Sequence, residues 1–251
     1  MLEEILRQKR AEVAQLSESM LRNVRPSTRN ISYALGTGRE NMTLFAELKR
    51  RDPWSGEIRP DLDLVGLADT LQRVGIAGLV VDTEGLYWGG SRDDLIALDR
   101  HGIQIPIVRN DFIVEELQLY ESRRAGADSV LLRVGLLDDD ALKSALRVVA
   151  SMHMVGIVLV YTSAELDRAL ATDAVVIAIS NRDLETGAVD LGRTLELATR
   201  VPSSRSVLAC FGIGSAADVQ MLRGSVDAVC IGSALLQAPD PIAFLTALAG
   251  A

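Results

Sequence analysis

Glu47 and Lys49 close the first long apolar run of the chain, in Phe45-Ala46-Glu47-Leu48-Lys49-Arg50. Two residues apart, they project from one face of an extended strand. A lysine withdrawn from water beside a carboxylate can act as an acid, an electrostatic clamp or a Schiff-base nucleophile. The same pair can also be an ion pair that only closes the end of a fold. Lysine is scarce here: Lys9, Lys49 and Lys143 are set among many arginines, so one at the end of an apolar strand is conspicuous.

A different chemistry is written in two glycine-bearing stretches, Phe211-Gly212-Ile213-Gly214-Ser215 and Ile231-Gly232-Ser233-Ala234. Glycine lets backbone N–H groups approach phosphate oxygens, and a helix starting at Ser233 turns its positive end toward an anion. Gly212, Gly232 and Ser233 are therefore the expected phosphate cradle. Other apolar runs end on polar residues: Asn110, Tyr161, Ser180 with Arg182, and Cys210. Arg182 can grip a carboxylate or phosphate bidentately, or sit in a structural network with Asp183 or Asp111. Tyr161 is a candidate proton donor. Cys210 is a candidate nucleophile without a histidine near it in the pattern, and as a buried reduced thiol it is a small hydrophobe, like Cys230. Trp54, Trp88 and Phe211 can wall an aryl pocket, although Trp88 also suits rim packing. His101 and His153 lack metal-ligand spacing, so no metal site and no cofactor are expected.

These residues need elements to hold them. Eight short apolar runs alternate with amphipathic ones: Thr43–Lys49, Gly78–Asp82, Ile105–Val108, Ser129–Arg133, Ile157–Tyr161, Ala174–Ser180, Ser206–Cys210 and Asp227–Ile231. Continuous rather than alternating polarity marks parallel strands buried on both faces. Helices are expected from near Leu64, Arg92, Val114, Asp138, Ser163, Asp190, Ser215 and Pro239. Eight such units in 251 residues make an α/β chain, a single (β/α)8 TIM barrel over 43–251 whose active site lies at the C-terminal strand ends. Residues 1–42 form an N-terminal helical extension, its helix spaced by Leu2, Ile5, Leu6, Val13 and Leu16, closing the bottom or rim of the barrel. Gly75-Ile76-Ala77-Gly78 and Gly126-Ala127-Asp128 are helix-to-strand turns.

The composition, 48% apolar and 24% charged, supports one large core. A formal charge of −8 argues against nucleic acid as the main partner, while leaving room for a local anion site. Apolar stretches are strand-sized and the N-terminus is charged, so no membrane partner is expected and a cytoplasmic location is.

The chain resembles the indole-3-glycerol phosphate synthase family over nearly its whole length. The resemblance is carried by Ala46–Arg50, Tyr87-Trp88-Gly89-Gly90-Ser91, Pro106–Ile113, Gly126–Leu132, Asn181-Arg182-Asp183-Leu184 and Ile231-Gly232-Ser233. It implies cyclisation of an N-aryl ribulose phosphate onto its own ring, with loss of carbon dioxide and water, and no metal or organic cofactor. Glu47, Lys49 and Arg182 match the family's glutamate, lysine and arginine, and Gly212, Gly232 and Ser233 its phosphate cradle. Elsewhere the chain departs. Asn110 stands where the family has its principal catalytic lysine, Tyr161 replaces a glutamate, Ser180 an asparagine, and Cys210-Phe211 a Glu-Ser pair. Asp52-Pro53-Trp54 replaces Ser-Pro-Ser, putting an anion beside the place where the family contacts the aryl carboxylate, an opposition of about 1 kcal/mol or more. Losing a general acid costs about two to four orders of magnitude in rate. Three functions follow: a divergent lyase on an altered phosphorylated sugar-like or aryl-amino substrate, a ligand-binding partner of a biosynthetic enzyme without turnover, or the family reaction carried by rearranged residues.

Overall fold

Eight parallel strands close on themselves, each paired with its neighbours in chain order and the first with the last. The structure, a computed structural model, describes residues 1–35 and 39–250; residues 36–38 of the expected extension and residue 251 of the expected barrel lie outside the described residues. The strands are β1 (Thr43–Leu48), β2 (Gly78–Asp82), β3 (Ile107–Asn110), β4 (Ser129–Arg133), β5 (Val155–Val160), β6 (Val176–Ser180), β7 (Ser206–Cys210) and β8 (Ala228–Ile231). Among the described residues no helix is long and apolar enough to cross a membrane.

Strand alternation explains why these runs read as continuously apolar. Phe45, Val80, Val108, Leu131, Ile157, Ala178 and Leu208 fill the barrel, while Ala46, Leu48, Leu79, Val81, Val130 and Leu132 lie outside it, under the helices. The covering helices are tied at their starts by side-chain caps. Ser91 and Thr162 form capping boxes with Asp94 and Glu165, and Asp63, Asp138 and Ser215 cap by accepting first-turn N–H groups.

Several boundaries differ from expectation, among them the fifth strand, which runs Val155–Val160 rather than Ile157–Tyr161, and the sixth, which starts at Val176 rather than Ala174. The third strand runs Ile107–Asn110, not Ile105–Val108. Pro106 has no N–H to give, and the polar Arg109 and Asn110 remain in the strand because their side chains find partners in neighbouring elements. The helix expected from Val114 starts at Leu117, because the Gln118 amide oxygen takes the N–H groups of Val114 and Glu115 and holds a turn there. The helix expected from Pro239 is a pair, Ser233–Gln237 and Pro241–Ala249.

The N-terminal segment serves both ends of the barrel. Its first helix, α1 (Leu2–Val13), lies on the rim at the C-terminal strand ends. Ile5 packs with Trp88 and Phe112, and buried Lys9 meets Asp111 at 3.0 Å. Further on, α2 (Ile31–Ala34) closes the base, where Ile31 and Leu35 join the interior cluster and the Ala34 carbonyl accepts from Thr43 Oγ1 at 2.9 Å.

Asp128 holds the connecting stretch to the barrel. Its buried carboxylate accepts from Ser27 Oγ (2.7 Å), Arg29 Nε (2.6 Å), Arg123 Nη1 (3.0 Å) and the Ile107 N–H (2.9 Å). Removing it strands two guanidinium groups, a loss of about 3–5 kcal/mol for a broken buried ion pair. Asp128→Ala should lower the urea midpoint accordingly with the slope unchanged; a loss below about 1 kcal/mol would contradict this role.

Candidate active site

A cavity of about 210 Å³ opens at the C-terminal strand ends. Glu47 and Lys49 from the end of β1, Asn110 from β3 and Arg133 from β4 line one side. The loops after β7 and β8, Phe211–Gly214 and Gly232–Ala234, line the other, with Trp54 and Trp88 as an aromatic wall.

Lys49 is buried, with its ammonium 2.9 Å from Glu47 Oε2 and 3.2 Å from Asp52 Oδ2. Burial alone would strip the charge, but the carboxylates of Glu47, Asp82 and Asp52 outweigh it and hold the pKa above the ordinary lysine value. The group therefore stays cationic at neutral pH. That favours an electrostatic clamp over a Schiff-base nucleophile, which needs the free amine.

Glu47 belongs to a polar arc. The uppermost inward positions of β1 to β4 are Glu47, Asp82, Asn110 and Arg133, following Phe45, Val80, Val108 and Leu131 one step below. Asn110 Nδ2 donates to Asp82 Oδ1 at 2.7 Å, and Arg133 Nη2 donates to Asn110 Oδ1 at 3.1 Å. Glu47 Oε1 and Asp82 Oδ2 are buried and receive no N–H or hydroxyl donor among the described residues. Burial, followed by the charge of Glu47, pushes the Asp82 carboxyl well above the usual carboxylate range.

The opposite wall is built from backbone. Gly212 has φ +78°, and a Cβ there would overlap Val189; a Cβ on Gly232 would overlap the Glu47 carboxylate. Phe211 holds φ +64°, a left-handed conformation costly for a bulky side chain. The short helix Ser233–Gln237 starts on this wall, and Gly232 offers no side chain to cap its free first-turn N–H groups. The Ser233 hydroxyl donates to Asp52 Oδ2 at 3.2 Å, joining this wall to the Lys49 cluster.

Of the residues singled out in the sequence, Glu47, Lys49, Trp54, Asn110, Ser180, Arg182, Phe211, Gly212, Gly232 and Ser233 line the one cavity. Arg182 lies 5.0 Å over the Trp54 ring and donates to the Gly187 carbonyl at 2.9 Å, rather than pairing with Asp183 or Asp111. Three others do not line it. Asp52 is buried beneath, accepting from Lys49, Ser233 and the backbone of Trp54, so its charge is already countered and does not stand free against an incoming anion. Cys210 is wholly buried beside Cys230, whose thiol is pushed up by its hydrogen bond to Cys210 and by burial. Tyr161 borders a neighbouring hollow, its ring 3.8 Å from the Arg193 guanidinium carbon. Asp82 and Arg133 belong to the arc but were not singled out; their alternation with Val80 and Leu131 was the available signal.

The indole-3-glycerol phosphate synthase family model matches residues 2–248. The chain belongs to this family. A relative named indole-3-glycerol phosphate synthase from Pelodictyon phaeoclathratiforme is 34% identical over 247 residues, covering 95% of this chain and 96% of its own. Another of that name from Aromatoleum aromaticum is 38% identical, covering 82% and 79%. Solved structures add the fold alone. Tryptophan synthase subunit alpha from Legionella pneumophila matches with TM-score 0.63 at 16% identity, over 89% of this chain and 98% of its own. The 3-hexulose-6-phosphate synthase of Salmonella typhimurium matches with TM-score 0.66 at 15% identity, over 83% and 97%. Within the indole-3-glycerol phosphate synthase family, the polar arc of this member is built from a carboxyl pair, an amide and a guanidinium.

The raised Asp82 carboxyl has a measurable consequence. Asp82 binds its proton more tightly folded than unfolded, so unfolding releases a proton and stability falls as pH rises from the unfolded value toward the folded one. The slope can reach about 1.4 kcal/mol per pH unit. Asp82→Asn removes that term, so urea stability of the variant should gain on the parent as pH rises above the ordinary carboxylate range. Parallel pH profiles for the two proteins would contradict the raised Asp82 carboxyl.

Proposed function

We propose that the protein is a lyase of the family's reaction type, acting at the barrel mouth on a phosphorylated aryl-amino sugar or a close relative of one. The observation that carries this reading is the buried Lys49 cation, facing a cavity whose far wall is the Gly212 and Gly232–Ser233 backbone. Phosphate held at that wall leaves the sugar chain reaching toward Lys49, and the ring lying against Trp54 and Trp88.

In such a cyclisation, a ring carbon attacks the sugar carbonyl carbon. The C–O π electrons pass to oxygen, carbon dioxide leaves the same ring carbon, and the oxygen departs as water after gaining two protons. The Lys49 ammonium stabilises the oxyanion as it forms, the kind of preorganised charge whose removal costs about 10²–10³ in rate. Lys49 holds its proton too tightly to be the preferred donor. Glu47 reaches the cavity beside Asp82, whose carboxyl is pushed up by burial and so keeps its proton; this carboxyl pair is the proton source and, once emptied, the base for the C–H proton lost on aromatisation.

A second reading, a ligand-binding protein without turnover that serves a biosynthetic enzyme, is favoured by Asn110. Both ends of its amide are committed, to Asp82 and Arg133, and an amide cannot protonate a carbonyl. Indole fluorescence separates the two. With the N-(2-carboxyphenyl)amino ribulose phosphate as substrate, the lyase reading predicts growth of an indole product, reduced at least about a hundredfold in Lys49→Ala. Saturable phosphate binding with no product from this or related aryl-amino sugar phosphates would favour the second.

A further inference from the structure

Arg133 ends β4 and faces inward above Leu131, at the edge of the mouth cavity. Its guanidinium carbon lies 4.7 Å from the Phe112 ring centroid and 5.9 Å from that of Phe211. A guanidinium carries five N–H donors and no acceptor. Among the described residues one acceptor, Asn110 Oδ1, takes one of them, and Nε is buried without a partner.

Arginines that serve the fold look different in this molecule. Arg29 donates to Asp128, Asp99 and the Ile103 and Gly126 carbonyls. Arg109 donates to Thr83, Asp111, Glu121 and Ser122. Arg205 donates to three backbone carbonyls. Arg133 is as enclosed as a structural arginine but keeps most of its donors free, and Asp82, the carboxyl nearest along the arc, reaches it only through the Asn110 amide. Asn110 has its orientation fixed at both ends, since Arg133 can only donate to it; the amide thus sets the plane in which the guanidinium presents its free edge.

We propose that Arg133 is a second anion-binding group of the mouth, positioned by Asn110, which takes a carboxylate of the ligand while phosphate occupies the glycine wall. A planar cation flanked by two aromatic rings matches a planar anion in bidentate geometry, and an aryl carboxylate adds ring contact with Phe211, which lines the cavity. The ligand is then doubly anionic, with its carboxylate on the β4 side and its phosphate on the β7–β8 side. This rests on the mouth being the ligand site, and not on any turnover there.

Benzoate is the probe, titrated calorimetrically into the full chain in saturating inorganic phosphate. The expected result is one benzoate per chain, bound at least about tenfold more weakly by Arg133→Met, with Arg133→Lys between the two. Asn110→Ala should weaken benzoate severalfold while keeping the charge. Absence of benzoate binding, an affinity in Arg133→Met within about twofold of the parent, or competition in which phosphate displaces benzoate would each overturn the proposal. Should Arg133→Met fail to fold, a crystal structure with 4-bromobenzoate decides: the carboxylate meets Arg133, or it does not. Because no reaction is followed, these outcomes are independent of whether the lyase assignment stands.

Discussion

A lysine cation enclosed in the mouth of a barrel must be surrounded by negative charge, and much of the geometry at this end follows from that need. Desolvating an ammonium costs several kcal/mol, and at an effective dielectric of about 20 a carboxylate about 3 Å away returns an amount of the same order. Glu47 and Asp52 supply two such partners at 2.9 and 3.2 Å. Gly232 must lack a Cβ because the Glu47 carboxylate fills that space. The Ser233 hydroxyl is turned toward Asp52, which ties the β8 loop to the first strand. A third carboxyl, Asp82, exceeds what one lysine can neutralise, and burial beside the charge of Glu47 favours its protonated form.

The interior upper layer thus divides into unlike halves. On β1 to β4 it is side-chain chemistry: the Glu47 carboxyl beside an Asp82–Asn110–Arg133 chain of hydrogen bonds. Around β7 and β8 the side chains are Cys210 and Cys230, apolar and sealed, and the polar surface above them is backbone N–H exposed by glycines. Such a division suits a ligand with a phosphate at one end and a second polar centre at the other. It also confines titratable chemistry to one side, away from the glycine wall.

The barrel itself was legible because burial on both strand faces leaves continuous apolar runs, and the glycine loops because their spacing followed the last two such runs. Glu47 and Lys49 stood out through alternation. Asp82 and Arg133 follow the same alternation, but a lone charge ending an apolar run looks like ordinary strand punctuation until neighbouring strands bring the others beside it. Tyr161 shows the opposite error. Alternation from Leu159 points it inward, yet the ladder ends at Val160, and Glu165 takes the Tyr161 N–H at 2.6 Å in the start of the next helix, which turns the ring out under Arg193. Asp52 was read as a free anion because nothing local reveals the short ladder of Arg51–Asp52 with Gly56–Glu57 that folds it beneath the mouth.

The proposed function requires this mouth to be an anion grip facing a buried cation. A crystal structure of the protein grown with inorganic phosphate tests it most directly. The expected result is a tetrahedral anion against the Gly212 and Gly232–Ser233 backbone, with Lys49 still between Glu47 and Asp52 across an open cavity. An empty glycine wall at saturating phosphate, or Phe211 and Trp54 closed across the mouth, would contradict it.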